Sequence, residues 1–115
     1  MVIRALPPEH VLLAFFGSEP ELLDAGVPWF YNQVTFIVDR QRDRLTCTIQ
    51  PAYGAIQVRW QRQGEEVVGV SVTDLRTLEV IVEEGASCLV AVRDAGRVQL
   101  RLWLDPRIRV YVGTD

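Results

Sequence analysis

One histidine, two cysteines and fifteen carboxylates are the side chains of this 115-residue chain best suited to acid–base, nucleophilic or metal chemistry. His10 follows Pro7-Pro8-Glu9, in the first turn expected of a helix, with no cysteine, serine or carboxylate pattern around it, so it reads as a surface or capping histidine. Glu9-His10 begins no HExxH motif. Gly69-Val70-Ser71 has neither the nucleophile-elbow pattern nor a second histidine to serve it. Cys47 and Cys88 lie far apart at expected inward strand positions without metal-ligand spacing, which makes them buried reduced thiols. Glu65, Glu66, Asp74, Glu79, Glu83 and Glu84 could hold paired carboxylates for general acid–base work, with Glu79 and Glu83 the pair a hydrolase would use. As strand-edge and turn residues they equally serve to solvate a surface. All 12 basic residues are arginine, which excludes a phosphate-loop lysine, a Schiff-base lysine and a Ser-Lys pair. Glycines stand singly at turns, so a nucleotide cradle is unsupported. The expectation is a protein without cofactor or metal, and not an enzyme.

The elements that would position these side chains are mostly strands. In Arg97 to Val112, Val98, Leu100, Leu102, Leu104, Ile108, Val110 and Val112 alternate with Arg97, Gln99, Arg101, Trp103, Arg107, Arg109 and Tyr111, the period-2 pattern of a sheet with one buried face. Loop lengths then set the partners, because residues opposed across an antiparallel pair share a face. Val34, Phe36 and Val38 meet Ile49, Cys47 and Leu45 if the turn lies between Arg40 and Asp43, which also opposes Asp39 to Arg44. Ile49 meets Ile56 across Pro51 to Gly54, and Trp60 meets Val68 around Gly64. Leu78, Val80 and Val82 are expected opposite Val92, Val90 and Cys88, and Val92 opposite Val98 across a type I turn with a glycine bulge. Asp105-Pro106 is either a wide turn or a bend in one long strand, and Thr73 to Thr77 fits no turn type.

Before the strands, Met1 to Leu6 forms a short strand or arm, and a helix is expected from Pro8 to Phe16, closed by Gly17. Ser18-Glu19-Pro20-Glu21 reads as a capping box opening a second short helix that Gly26 ends. Val11, Leu12, Leu13, Phe15 and Phe16 leave the first helix almost without a polar face, so it must be covered. The fold class is therefore α+β, mainly β: an antiparallel meander of about seven strands with one or two short N-terminal helices packed on the sheet. Residues 1–115 form a single domain, helical over 1–28 and sheet over 29–115. Ile37, Val67, Ile81, Leu89, Ala91, Trp103 and Tyr111 are expected on the opposite face, which needs cover from the helix, a homodimer or a partner.

A net charge of -3 argues against nucleic-acid or anionic-membrane binding. The start has no charged region followed by an apolar run, and no apolar stretch approaches the ~20 residues a membrane span needs, so a cytoplasmic protein is expected. Glu65, Glu66, Glu79, Glu83 and Glu84 could complement a basic protein such as a nuclease. Arg101, Trp103, Arg109 and Tyr111 could equally form a partner-facing hot spot, since such residue types dominate hot spots.

The order Phe16-Gly17, Pro20, Leu22-Leu23-Asp24-Ala25-Gly26-Val27 and then a strand from Val34 to Val38 resembles small bacterial immunity proteins that neutralise polymorphic toxins. Gln57-Val58-Arg59-Trp60, Val68-Gly69-Val70 and Leu78-Glu79-Val80 are similar to that group's middle strands. Leu23 stands where the group often has a histidine, so no binding residue carries over. The resemblance implies a non-catalytic role in binding a protein partner. The alternatives are a small-ligand carrier with an apolar pocket between helix and sheet, and the carboxylate hydrolase.

Overall fold

Strict alternation in the segments around Phe36 and Cys47 gives one sheet face to large apolar side chains, and the observed strands follow it. The computed structural model describes residues 3–113. Helix α1, Glu9–Phe16, precedes strands β1 (Glu21–Leu22), β2 (Val34–Arg40), β3 (Asp43–Gln50), β4 (Ala55–Arg62) and β5 (Glu65–Val72), which form one antiparallel sheet in sequential order. Strands β6 (Thr77–Glu83), β7 (Ala86–Val92), β8 (Val98–Trp103) and β9 (Arg109–Val112) form a second. The expected single meander is thus split in two at the loop from Thr73 to Arg76. That loop is tied down through its backbone: Leu75 N–H donates to Gly54 O and Arg76 N–H to Val92 O, with Leu75 itself fully buried.

The first sheet has the expected register from β2 as far as the Trp60–Val68 pair, beyond which a bulge between Trp60 and Gln61 closes the β4–β5 hairpin on a two-residue turn at Gln63-Gly64. Val34, Phe36 and Val38 oppose Ile49, Cys47 and Leu45, Ile49 opposes Ile56, and Trp60 opposes Val68. Asp39 faces Arg44 on the outer side, bridged at 2.7 Å. In the second sheet the first hairpin is displaced by one residue. A two-residue turn at Glu84-Gly85 opposes Leu78 to Ala91 and Val80 to Leu89, so Leu89 and Ala91, expected outside, lie in the core, while Cys88 and Val90 take the other face. Both Glu84 and Gly85 have positive φ, as a tight mirror-image turn requires. A bulge between Ala91 and Val92 then restores the expected Val92–Val98 pair. The connection there has positive φ at both Ala95 and Gly96, a mirror-image turn in place of the expected type I turn and bulge. Leu104 to Ile108 is a wide turn, and β9 returns beside β8 with Arg101 opposite Tyr111 and Trp103 opposite Arg109.

The expected second helix is absent. Glu21 and Leu22 pair with β2 as a short edge strand, because the segment behind them is clamped by Asn32. The Asn32 Nδ2 donates to Asp24 O at 2.6 Å and Val27 O at 2.9 Å, and its Oδ1 accepts from the backbone N–H groups of Asp24 and Gln33. A fully bonded buried amide holds this turn better than the pattern Ser18-x-x-Glu21 could hold a helix interrupted by Pro20.

Apolar side chains of both sheets and of α1 share one core. Phe36 is fully buried, stacked on Phe16 at 4.2 Å between centroids and met edge-on by Trp29 at 5.9 Å. The helix therefore fills the core rather than covering an outer face. The arm before it contributes Ile3, and Ala5 makes a parallel bridge to Thr77 at the β6 edge; the expected arm's first two residues, Met1 and Val2, lie outside the described range.

Cys47 and Cys88 are both free and buried. Burial pushes the Cys47 thiol up to about 12. In native protein at pH 8 iodoacetamide should leave Cys47 untouched, and full modification should appear only on unfolding, read by mass spectrometry. Above the ordinary thiol pKa of 9.0 the unfolded chain sheds a proton that the folded chain keeps, so stability falls as pH rises towards 12.

Candidate partner-binding site

Alternation along β6 to β9 puts one set of side chains in the shared core and the other on an open face. That face carries Glu79, Ile81 and Glu83 from β6, Cys88 and Val90 from β7, Arg101 and Trp103 from β8, and Arg109 and Tyr111 from β9. Six of the residues singled out in the sequence, Glu79, Glu83, Arg101, Trp103, Arg109 and Tyr111, therefore share one sheet face. The charges are ordered across it: carboxylates on the β6 side, guanidiniums on the β8 and β9 side, and the half-buried Ile81 and Trp103 between them, with Cys88 and Val90 buried beneath. Arg101 Nη1 lies 3.5 Å from Glu83 Oε2, a bridge spanning the middle. The Arg109 guanidinium sits over the Trp103 ring at 4.6 Å from its centroid, and Tyr111 is half exposed. An apolar centre inside a polar rim with separated signs is the anatomy of a protein-binding patch, and the sign order would fix a partner's orientation.

Glu83, Glu84, Ala86, Trp103, Pro106 and Arg109 line an open hollow of about 660 Å³ beside this face. Glu84 thus lies at its rim, in the turn after β6. Glu65 and Glu66 lie elsewhere, at the start of β5 in the other sheet, and Arg59 Nε donates to Glu66 at 3.0 Å on that sheet's outer side. The acidic stretch that is continuous in sequence is divided between two sheets.

The structure adds residues that no sequence pattern singles out. Where the two sheets part, Trp60 and Arg62 from β4 face Trp103, Arg109 and Tyr111 across a hollow of about 630 Å³. Arg62 covers the Trp60 ring at 5.4 Å. Asp43 Oδ1 accepts from Arg62 Nε at 2.9 Å and from Trp60 Nε1 at 3.0 Å. Arg62 first, and Trp60 second, hold the Asp43 carboxyl below the usual carboxylate range. These residues lie more than forty positions from Trp103 in sequence and come from the other sheet, so no local pattern joins them.

Two alternative sites find no support. The space between helix and sheet lined by Leu6, Leu12, Trp29, Val34, Ile49 and Pro51 measures about 10 Å³, too small for a ligand. Glu79 and Glu83 stand about 13 Å apart along β6, both exposed and Glu83 turned to Arg101, rather than converging in a cleft. Among the described residues no group of three or more potential metal ligands occurs, and no helix is long and apolar enough to cross a membrane.

No protein-family model matches the sequence, and no curated protein is significantly similar to it. Among solved structures, a chain of the contact-dependent growth inhibition toxin–immunity protein complex from Klebsiella pneumoniae 342 superimposes with a TM-score of 0.83. The match covers 96% of this chain and 96% of that chain at 17% sequence identity, a likeness of fold.

Proposed function

We infer that this chain is a non-catalytic, immunity-type protein of the bacterial cytoplasm that binds a protein toxin and occludes it with the outer face of its second sheet. The observation that carries the reading is the collection of Trp103, Arg101, Arg109 and Tyr111 with Glu79 and Glu83 on one uncovered sheet face. The fold likeness to a chain of a toxin–immunity complex supports it. Two chains of one complex could share such a likeness, a toxin or its inhibitor. The side-chain inventory favours the inhibitor, since the single histidine stands on the exposed side of α1 and the candidate carboxylates do not converge.

The test is protection. Cells expressing the toxin encoded beside this gene should survive when this chain is co-expressed, and the purified pair should form a stable complex. Reversing the sign of Glu79, Glu83 and Glu84 should abolish protection while leaving the fold intact by circular dichroism. Unchanged protection after that reversal, or no protection against any neighbouring toxin, would count against the reading.

A further inference from the structure

The groove between the sheets is basic and aromatic in a protein whose net charge is -3. Three guanidiniums, Arg62, Arg107 and Arg109, line it against one carboxylate, Asp43. That carboxylate is already occupied by Arg62 and by Trp60. Arg107 and Arg109 are both exposed, and among the described residues neither has a carboxylate partner. Two arginines therefore present unmatched charge at a hollow walled by the rings of Trp60, Trp103 and Tyr111. Arg109 stacked on Trp103 keeps its N–H edge free for a carboxylate and has given up rotamer freedom in advance.

We propose that this groove receives an acidic, extended segment of the partner, whose carboxylates pair with Arg107 and Arg109 while an apolar side chain seats between the tryptophans. The proposal rests on the immunity-type reading for the partner's identity, but its chemistry is local. Glu83 and Glu84 line a separate hollow on the other side of Trp103 and Arg109 and take no part in it.

Fluorescence anisotropy with a fluorescein-labelled peptide of alternating aspartate and leucine tests the groove without any toxin. Its lysine–leucine counterpart and a short single-stranded oligonucleotide complete the comparison. The acidic peptide should bind the intact protein, less tightly as salt rises. Arg107→Glu with Arg109→Glu should weaken it about tenfold or more, as expected for two lost rim ion pairs. Arg4→Glu with Arg97→Glu, which changes the net charge equally at exposed sites outside the groove, should leave it unchanged. Equal affinity in the Arg107/Arg109 variant, preference for the lysine peptide, or an oligonucleotide bound as tightly as the peptide each overturns the proposal. If the toxin complex forms and the same variant retains full affinity, the groove assignment falls while the immunity reading stands. If the acidic peptide binds in the groove but no neighbouring toxin does, the reverse holds.

Discussion

Phe36→Ala is expected to cost about 3–5 kcal/mol of stability and to lower the melting temperature by roughly 10–20 °C. Phe36 has no exposed surface, stacks on Phe16 of α1 and is met edge-on by Trp29, so one ring joins the helix, the turn before β2 and the first sheet. Truncation leaves a cavity whose walls belong to three elements that cannot all move inward. Phe36→Leu keeps most of the volume and loses only the ring contacts, so a smaller loss is expected. Urea denaturation of both variants provides the measurement. A loss below about 1 kcal/mol for the alanine variant would show that the site collapses and that Phe36 is not the junction described here.

On the immunity-type reading proposed above, Trp103→Ala should weaken binding of the partner by about 2 kcal/mol or more, roughly thirtyfold in Kd, with little change in melting temperature. The asymmetry follows from position. Trp103 stands on the open side of β8 under Arg109, between the apolar middle of the face and the groove, and its opposite-parity neighbour Leu102 supplies the core contact instead. Titration calorimetry against the purified partner reads the first effect and differential scanning calorimetry the second. Tyr31→Ala with Tyr53→Ala removes exposed aromatic surface outside this face and serves as the control. Binding lost with the tyrosines and kept without Trp103 would move the interface to the other end of the molecule.

The register of β2 to β5 was legible because each strand alternates cleanly and each turn has few residues, leaving one arrangement that puts Phe36, Cys47 and Val58 on the same face. The β6–β7 hairpin was not, because Cys88, Leu89, Val90 and Ala91 are all apolar and offer no alternation against which a one-residue slip could be noticed. Turn length alone decided it, and Glu84-Gly85 is shorter than Glu84 to Ala86 by the one residue that exchanges the faces. The break into two sheets rests on backbone bonds of Leu75 and Arg76 to distant carbonyls, for which the sequence has no local mark. The same contrast holds at the site. Arg101, Trp103, Arg109 and Tyr111 share a face by parity within neighbouring strands, whereas Trp60, Arg62 and Asp43 join them only once the second sheet folds over the first.

Arg40, the last residue of β2, reaches out of its own sheet to donate to the Leu104 carbonyl and to bridge Asp105 at 3.1 Å. It thereby grips the start of the five-residue loop that carries Arg107 and leads into Arg109. The loop that leads to those two side chains is thus held at its start from the other sheet, by a residue that lines neither hollow. If the groove is the recognition site proposed above, a substitution at position 40 would shift its arginines without altering any residue that lines it.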